Sequence, residues 1–255
     1  MKSTPDIFYT RRGVLVVNDK VIAGEPCKLT AYDKKTGEVV WVYNGASCES
    51  PSRYVYDSKR NTILVPGHWK GLYSISADTG ELVWSKTQGH IYWFNSSTPY
   101  LLGDVICKRG DVNIALLDAD DGETVISTKV PTSLDVSASC ASDDKLVYVP
   151  TVNSGVFGVD KDTLELKLVY PAHNAALFTA PYRHGNIQPV ETTPVIREEK
   201  LMFASSDGYV HIYNKNNGYK IREINVGSPV IAKPVYGDDY IITADFSGNV
   251  KKFKI

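Results

Sequence analysis

The chain has 255 residues, a formal net charge of −1 at pH 7, 43% hydrophobic residues and 22% charged residues. Its basic residues are spread along the chain without a block of like charge, so nucleic acid or an anionic membrane surface is not expected as a partner. No run of about 18 apolar residues occurs and the N-terminus shows no signal peptide, so we expect no membrane insertion. The composition predicts a globular protein with a core of its own.

The four cysteines, Cys27, Cys48, Cys107 and Cys140, lie far apart in the sequence. No pair has the CxxC spacing of a structural zinc site or a thioredoxin-like centre. Free cysteines are among the residues most often buried in proteins. We therefore expect buried free thiols, and whether any of them pair stays open.

In chain order, one predicted strand at residues 6–11 is followed by six copies of a unit of short strands. The units lie roughly at residues 12–45, 50–87, 96–130, 136–170, 191–226 and 230–255. The turn before the last strand of a unit recurs at Gly37, Gly80, Gly122, Leu164 and Gly218, at spacings of 43, 42, 42 and 54 residues. Four short antiparallel strands per unit, repeated at this period, predict an all-β protein with the β-propeller fold.

The sixth unit ends before its fourth strand. The strand at residues 6–11 is expected to supply it, which would close a ring of six four-stranded blades and cover an exposed edge. On this interpretation residues 1–255 form one propeller domain. The alternative is that the chain is part of a seven- or eight-bladed ring.

A turn of the same chemistry ends the third strand of each complete unit. Its first residue is Asp33, Asp118, Asp160 or Asn214, with Ser76 as the exception. Asp and Asn side chains bond their own backbone two residues on, and a glycine four residues later supplies a positive φ. These residues therefore predict a tight hairpin between the third and fourth strands.

The segment "AYDKKTGEVVW", from Ala31 to Trp41, resembles the repeat of the quinoprotein-type, or PQQ-like, propellers. The likeness covers nearly the whole chain, although of the later copies only Trp84 keeps the tryptophan. It implies that the Asp and Gly of the motif form the turn and that the Trp packs between blades. In that family the quinone enzymes use calcium, a catalytic Asp and a disulfide between adjacent cysteines. This chain has no Cys-Cys pair, so no cofactor is expected.

A second branch of the same resemblance is not enzymatic. The lipoprotein B scaffold of the bacterial outer-membrane assembly machinery is a propeller of similar repeats, and related propellers form C-terminal domains of exported enzymes. The resemblance implies a binding module that acts outside the cytoplasm, in the periplasm or as a secreted protein, and that can be part of a larger exported chain.

Candidate binding residues lie in the irregular loops at the end of the blades opposite the tight turns. They are Glu49, Arg53, His68, Trp69, His90, Tyr92, Trp93, His173, Tyr182, Arg183, His184 and Glu191. Exposed aromatic residues beside polar groups are typical of binding surfaces. The connection from Pro171 to Thr193 is the longest departure from the repeat, and we interpret it as a lid over part of this face.

The histidines have a simpler interpretation as well. A loop histidine is more often solvated than a ligand, and no fixed ligand spacing occurs, so no metal site is expected. His211 lies within a predicted strand and is interpreted as a packed side chain. Arg53 and Arg183 are expected to form surface salt bridges rather than an anion site.

Three functions remain open from the sequence. The favoured one is a non-catalytic, monomeric scaffold that recognises a protein, peptide or glycan. The alternative is a hydrolase or lyase with its site at the mouth of the ring, using Glu49, His90, His173, His184 and Glu191 as acid–base groups. A quinone-dependent oxidoreductase is the least favoured, because a fold does not carry its cofactor with it.

Overall fold

The computed structural model describes residues 14–25, 28–45, 53–67, 71–89, 92, 97–110, 112–134, 136, 138–175 and 187–255. In these ranges the chain forms six separate antiparallel sheets, each built from strands that follow one another in the sequence. The predicted all-β class and its division into six sheets are confirmed. Across the same ranges no helix combines the length and the apolar character needed to cross a membrane.

The first three sheets, blades 1 to 3, have four strands each. Blade 1 contains β1 (Val14–Val17), β2 (Lys20–Glu25), β3 (Lys28–Asp33) and β4 (Val39–Tyr43). Blade 2 contains β5 (Val55–Asp57), β6 (Thr62–Gly67), β7 (Gly71–Ser76) and β8 (Leu82–Lys86). Blade 3 contains β9 (Tyr100–Leu102), β10 (Val105–Gly110), β11 (Asn113–Asp118) and β12 (Thr124–Lys129).

Blades 4 and 5 repeat this plan, and blade 6 has three strands in the described part. Blade 4 contains β13 (Ala141–Ser142), β14 (Leu146–Pro150), β15 (Val156–Asp160) and β16 (Leu166–Tyr170). Blade 5 contains β17 (Val195–Arg197), β18 (Lys200–Ala204), β19 (Tyr209–Asn214) and β20 (Lys220–Asn225). Blade 6 contains β21 (Val235–Tyr236), β22 (Tyr240–Ala244) and β23 (Val250–Lys254). The predicted closing strand at residues 6–11 lies outside the described residues, so ring closure and the single-domain boundary stay predictions.

The inner strands of blades 2 to 5 are buried on both faces because a blade lies on either side of each of them. In β6, Ile63 and Val65 pack towards blade 1, whereas Leu64 packs towards blade 3. In β19, Ile212 packs towards blade 6 and Tyr213 towards blade 4. Each such side chain, fully buried, contributes about 1.5–3 kcal/mol relative to an exposed one. The core is therefore a series of layers between blades, as the apolar residues on both sides of these strands predict.

The tight turns have the predicted chemistry. The Asp33 carboxylate accepts hydrogen bonds from the backbone N–H groups of Lys35 and Thr36 at 2.8 and 2.7 Å. Gly37, which follows with a φ of 76°, donates its N–H to the Asp33 carbonyl. Leu164 stands at the glycine position of blade 4 and still adopts a φ of 58°. The repeat thus holds the turn conformation even where the residue type changes.

The motif tryptophan packs on the turn of the next blade. Trp41 donates its indole N–H to the carbonyl of Ala77 at 3.2 Å, and its ring lies against Gly80. Trp84 repeats the same contact against Gly122 of blade 3. The role that the resemblance implies for this tryptophan, packing between blades, is therefore confirmed in blades 1 and 2.

A β-bulge, which we did not predict, occurs at one place in each of the first five blades. It lies between the third and fourth strands, at Ala31/Tyr32, Ser74/Ile75, Leu116/Leu117, Gly158/Val159 and Ile212/Tyr213. In blade 1, Trp41 pairs with Ala31 and Val39 with Tyr32, so Val40 is the extra residue. A bulge re-aims the side chains beside it. Here it separates the tryptophan position from the exposed apolar residues before it.

The blades present two different ends, because successive connections of an antiparallel meander alternate between its ends. We call the end with the first–second and third–fourth strand turns the bottom face, and the end with the second–third loops and the blade connections the top face. Ion pairs join neighbouring blades at the bottom face. Arg60 of blade 2 contacts Asp104 and Asp120 of blade 3 at 2.8 and 2.6 Å, and Lys215 of blade 5 contacts Asp143 of blade 4 at 2.7 Å.

Candidate functional site

Four of the twelve predicted binding residues lie in the described part of the chain: Arg53, Tyr92, His173 and Glu191. The other eight, Glu49, His68, Trp69, His90, Trp93, Tyr182, Arg183 and His184, lie outside the described residues. The assignment of these residues to a binding surface therefore stays a prediction. The four described ones fall into two groups, at blades 2 and 3 and at blades 4 and 5.

Arg53 and Tyr92 are both attached to blade 3. The backbone N–H of Arg53, an exposed residue, donates to the Thr98 hydroxyl at 3.4 Å. The Tyr92 hydroxyl lies 3.3 Å from that of Thr124, and its half-buried ring packs against the apolar layer between blades 2 and 3. These two residues therefore mark the junction between blades 2 and 3.

The long connection between blades 4 and 5 is closed at its base. Ala175 donates its backbone N–H to the carbonyl of Ile187 at 2.9 Å, so the described chain on the two sides of residues 176–186 is joined by a hydrogen bond. Ile187 is buried beside Val152, and Gln188 donates its N–H to the Val152 carbonyl at 3.1 Å. The predicted lid itself, residues 176–186, lies outside the described residues.

One loop of blade 5, Ser205–Gly208, holds both His173 and Glu191. The Asp207 carboxylate accepts the backbone N–H of His173 at 2.7 Å. The neighbouring Ser206 hydroxyl donates to the Glu191 carboxylate at 2.9 Å, and both of these side chains are buried. Two residues that are eighteen positions apart in the sequence are therefore joined through a single tight loop.

Asp207 also fixes a histidine that we had interpreted as packed. Its carboxylate lies 2.7 Å from Nε2 of His211, a fully buried ring that stacks on Phe203 at 5.1 Å between centroids. Burial raises the pKa of the Asp207 carboxyl, but hydrogen bonds from His211 and from the backbone of His173 and Tyr209 outweigh it and the pKa is lowered. His211 is packed, as predicted, and it also faces a carboxylate that stays ionised.

Glu223 on β20 completes the group. It is the cross-strand partner of His211, and its Oε2 lies 3.0 Å from Nε2 of His173 and 4.0 Å from Nδ1 of His211. Lys220 donates to the same oxygen at 2.7 Å. The Lys220 hydrogen bond, followed by that of His173, lowers the pKa of the Glu223 carboxyl. We call His173, Asp207, His211, Lys220 and Glu223 the blade 5 cluster.

Four members of this cluster, Asp207, His211, Lys220 and Glu223, were not predicted as functional residues from the sequence. One signal was available, because counting back from the Asn214–Gly218 turn places His211 opposite Glu223 once the bulge is allowed for. Asp207 had no comparable signal. Its role depends on a loop that folds back towards the preceding blade.

The blade 5 cluster stands at the top end of a row of aromatic rings between blades 4 and 5. Successive ring centroids lie 5.0–5.9 Å apart through Tyr148, Tyr170, Tyr213, Phe203, His211, His173 and Tyr209. Aromatic contacts at these separations stabilise beyond their burial by about 0.5–1.5 kcal/mol each. The cluster is therefore mounted on a rigid part of the molecule.

The repeated blades, the Asx turns and the tryptophan contacts together define a PQQ-like repeat β-propeller. A family model described as outer membrane protein assembly factor BamB matches residues 29–174 and 70–253. These two matches extend over well above half of the chain. The chain therefore belongs to the BamB family.

The individual proteins that this chain resembles share less than a quarter of their aligned residues with it. Outer membrane protein assembly factor BamB of Moranella endobia (strain PCIT) is 24% identical over 196 residues, which cover 73% of this chain and 46% of the relative. The chain thus spans about half the length of that relative. The crystal structure of BamB from Moraxella catarrhalis superposes with a TM-score of 0.75 at 17% identity, covering 96% of this chain and 73% of the other. The computationally designed protein Ika8 gives a TM-score of 0.73 at 13% identity, with 95% and 70% coverage.

Proposed function

We propose that this chain is a non-catalytic scaffold propeller that binds a protein of bacterial outer-membrane assembly and acts outside the cytoplasm. The observation that carries the proposal is the match of residues 29–174 and 70–253 to the BamB family. The Moranella endobia relative carries a name that states a role in outer membrane protein assembly. A protein partner is therefore favoured over the glycan or free peptide that the sequence left open.

The architecture supports a scaffold role. At the top face, Ser206 donates its N–H to the carbonyl of Pro189 and Val230 to that of Ser205, so one loop of blade 5 is bonded to the connections on both sides of it. Preformed surfaces of this kind bind with a small ordering cost. The predicted aromatic residues Trp69 and Trp93 are the side chains we assign as anchors, because Trp dominates the binding energy of many protein interfaces.

The catalytic alternatives have less to support them. The hydrolase or lyase prediction rests on five acid–base groups, of which Glu49, His90 and His184 lie outside the described residues. The buried Glu191 accepts a hydrogen bond from Ser206. Because this arrangement does not define a reaction step, we favour the scaffold function.

The proposal is tested by capture from solubilised outer membranes of Moraxella catarrhalis. The immobilised chain is expected to retain an outer-membrane β-barrel protein or a component that assembles one, identified by mass spectrometry. The variant with Trp69→Ala and Trp93→Ala should lose at least about tenfold of the affinity, since losing an anchor at an interface costs about 2 kcal/mol or more.

Tyr219→Ala is the matched control, because Tyr219 is a large aromatic residue on the bottom face, 75% exposed. Its variant should capture the same partner with unchanged affinity. Equal loss in both variants, or retention by the tryptophan variant, would remove the top face as the binding surface. Capture of glycans alone, with no protein retained, would contradict the proposed partner.

A further inference from the structure

We propose that His173, His211 and Glu223 form a binding site for a divalent transition-metal ion of the zinc type, with Asp207 as a positioning residue. One ring nitrogen of His173, one of His211 and one carboxylate oxygen of Glu223 all lie within 4.8 Å of one another. The site lies at the base of the connection between blades 4 and 5. The inference goes beyond the scaffold function and does not depend on it.

The buried His211 ring points an unused nitrogen into this site. Its Nε2 lies 2.7 Å from an oxygen of the Asp207 carboxylate, so in the neutral ring Nε2 carries the hydrogen that this acceptor receives. Nδ1 then carries a lone pair, and it is buried without a hydrogen-bond partner. A buried polar atom without a hydrogen-bond partner destabilises the folded protein by about 1–3 kcal/mol. A cation bound to Nδ1 would remove this cost.

The atom that Nδ1 of His211 faces is also an acceptor. Oε2 of Glu223 lies 4.0 Å away and accepts a hydrogen bond from the Lys220 ammonium group. Two lone-pair atoms facing one another at this separation repel unless a positive charge lies between them. His173 approaches the same oxygen at 3.0 Å from the exposed side. The three groups therefore converge on one point that favours positive charge.

The donor set and its surroundings fit zinc. Two imidazole nitrogens and a carboxylate oxygen are a common ligand set for Zn²⁺ in sites that keep a fourth position for water. The side chains of His173 and Glu223 are 45% and 36% exposed, which leaves room for that water. Asp207 on the far nitrogen of His211 matches the carboxylate–histidine–metal arrangement that orients such ligands.

Lys220 supplies the positive charge in the metal-free state. Its Nζ lies 2.7 Å from Oε2 of Glu223 and 5.8 Å from the centre of the Tyr213 ring. A metal ion and this ammonium group compete for one oxygen. Metal binding would therefore release Lys220 from Glu223, and the Tyr213 ring offers the released ammonium a second contact.

A metal ion here would fasten the long connection to blade 5. His173 belongs to the segment that follows β16, whereas His211 and Glu223 belong to β19 and β20. One ion would thus join the base of the connection to two strands of the next blade. Metal loading would therefore hold the base of the connection in place.

The test is a titration of the purified, chelator-treated full chain with Co²⁺ and then Zn²⁺. We expect one Co²⁺ per chain with the visible absorption of a tetrahedral site, and displacement of the cobalt by Zn²⁺. Acid should weaken the binding, because protons compete with the metal ion for the ligand atoms. Absence of saturable binding by both ions to the chain and to its Lys220→Met variant would overturn the proposal.

Variants with opposite expected effects separate this site from adventitious binding. His173→Ala and Glu223→Gln change partly exposed side chains and should weaken Co²⁺ binding, whereas Lys220→Met should strengthen it. Asp207→Asn should weaken it by about 10–100-fold, the usual effect of losing such an orienting partner. Glu165→Gln, at an exposed carboxylate of the bottom-face turn of blade 4, is the matched control and should leave binding unchanged. Binding that Glu165→Gln removes, or that His173→Ala and Glu223→Gln leave intact, would contradict the assignment.

Discussion

The contact between a tryptophan and a glycine of the next blade is the smallest unit that repeats in this protein. At Gly80 and Gly122, a Cβ atom would come within 2.6 and 2.7 Å of the preceding blade's tryptophan ring. The glycine is therefore needed twice, once for its positive φ and once for its lack of a side chain. The sequence predicts the first need from the turn chemistry but not the second, which depends on the neighbouring blade.

At the contact between blades 3 and 4, both the tryptophan and the glycine are replaced. Leu164 replaces the glycine and Ile126 of blade 3 replaces the tryptophan. Leu164 is 2% exposed in the apolar cluster against which Ile126 packs. A smaller side chain on one blade thus leaves room for a larger one on the next, and the left-handed backbone at Leu164 costs roughly 1–2 kcal/mol that this burial offsets.

The first prediction compares the same substitution at two turns. Gly37→Ala should destabilise the protein by roughly 1–2 kcal/mol, because its φ is 76° but no atom lies within 4 Å of the added methyl group. Gly80→Ala should cost about 1–3 kcal/mol more, since the methyl group meets the buried Trp41 ring. Chemical denaturation of both variants measures the difference.

Gly218→Ala serves as the control for this comparison. Its φ is 75°, and the closest atom to an added methyl group, on Leu168, is at an ordinary contact distance of 3.7 Å. It should behave like Gly37→Ala. Equal losses at Gly37 and Gly80 would show that the tryptophan contact contributes little.

At the scale of the strands and turns, the sequence predicts the hairpins better than the sheets' irregularities. Asp, Asn and Gly at fixed positions predict each third–fourth strand turn because those residue types have specific backbone preferences. The bulge that follows needs no special residue, so Val39, Val40 and Trp41 carry no sign of it. Apolar residues of the fourth strands are also exposed, with Val83 and Ile221 more than half exposed.

The second prediction concerns the bottom-face turn of blade 4, where Asp143 joins two blades. Its carboxylate accepts from Lys215 of blade 5 at 2.7 Å and from the Tyr148 hydroxyl at 2.9 Å. Burial raises the pKa of Asp143, but these bonds and two backbone N–H groups outweigh it, and the pKa falls well below the ordinary value of 3.8. Asp143→Asn should therefore destabilise the protein by about 1.5–3 kcal/mol at pH 7.

The same substitution has a signed pH dependence. Because the folded pKa is depressed, the carboxylate contributes its full stability above pH 3.8 and loses it as the pH falls from there towards the folded value. Denaturation midpoints of the two proteins should converge below about pH 4. Asp162→Asn, an exposed residue of the same blade, should show little difference at any pH. A gap between Asp143→Asn and the parent that persists undiminished at pH 3 would contradict this account.

At the scale of the whole molecule, the repeat length and the turn chemistry predict the blades. The candidate sites, in contrast, depend on the three-dimensional packing of the blades. His173 was expected in a loop and Glu191 in the same connection, yet their joint attachment to Ser205–Gly208 depends on how one blade packs on the next. Glu223 meets His173 across fifty positions of sequence. Spacing rules for metal or acid–base motifs concern residues close in sequence, so they could not predict this group.

The bottom face and the top face of the blades have different roles. The bottom face consists of short turns joined by ion pairs, such as those of Arg60 and Lys215, and it holds neighbouring blades in register. The top face includes the Ser205–Gly208 loop, which holds the predicted binding residues His173 and Glu191. We therefore expect partner binding at the top face, on a scaffold whose bottom face changes little.

Amide hydrogen exchange of the chain, alone and with the protein that it captures from outer membranes, tests this central claim most directly. The account predicts slower exchange on binding in the second–third strand loops and blade connections, including residues 66–71 and 87–99. Exchange in the bottom turns, such as residues 57–62 and 118–123, should be unchanged. Slower exchange confined to the bottom turns, or no change at the top face in a stable complex, would contradict it.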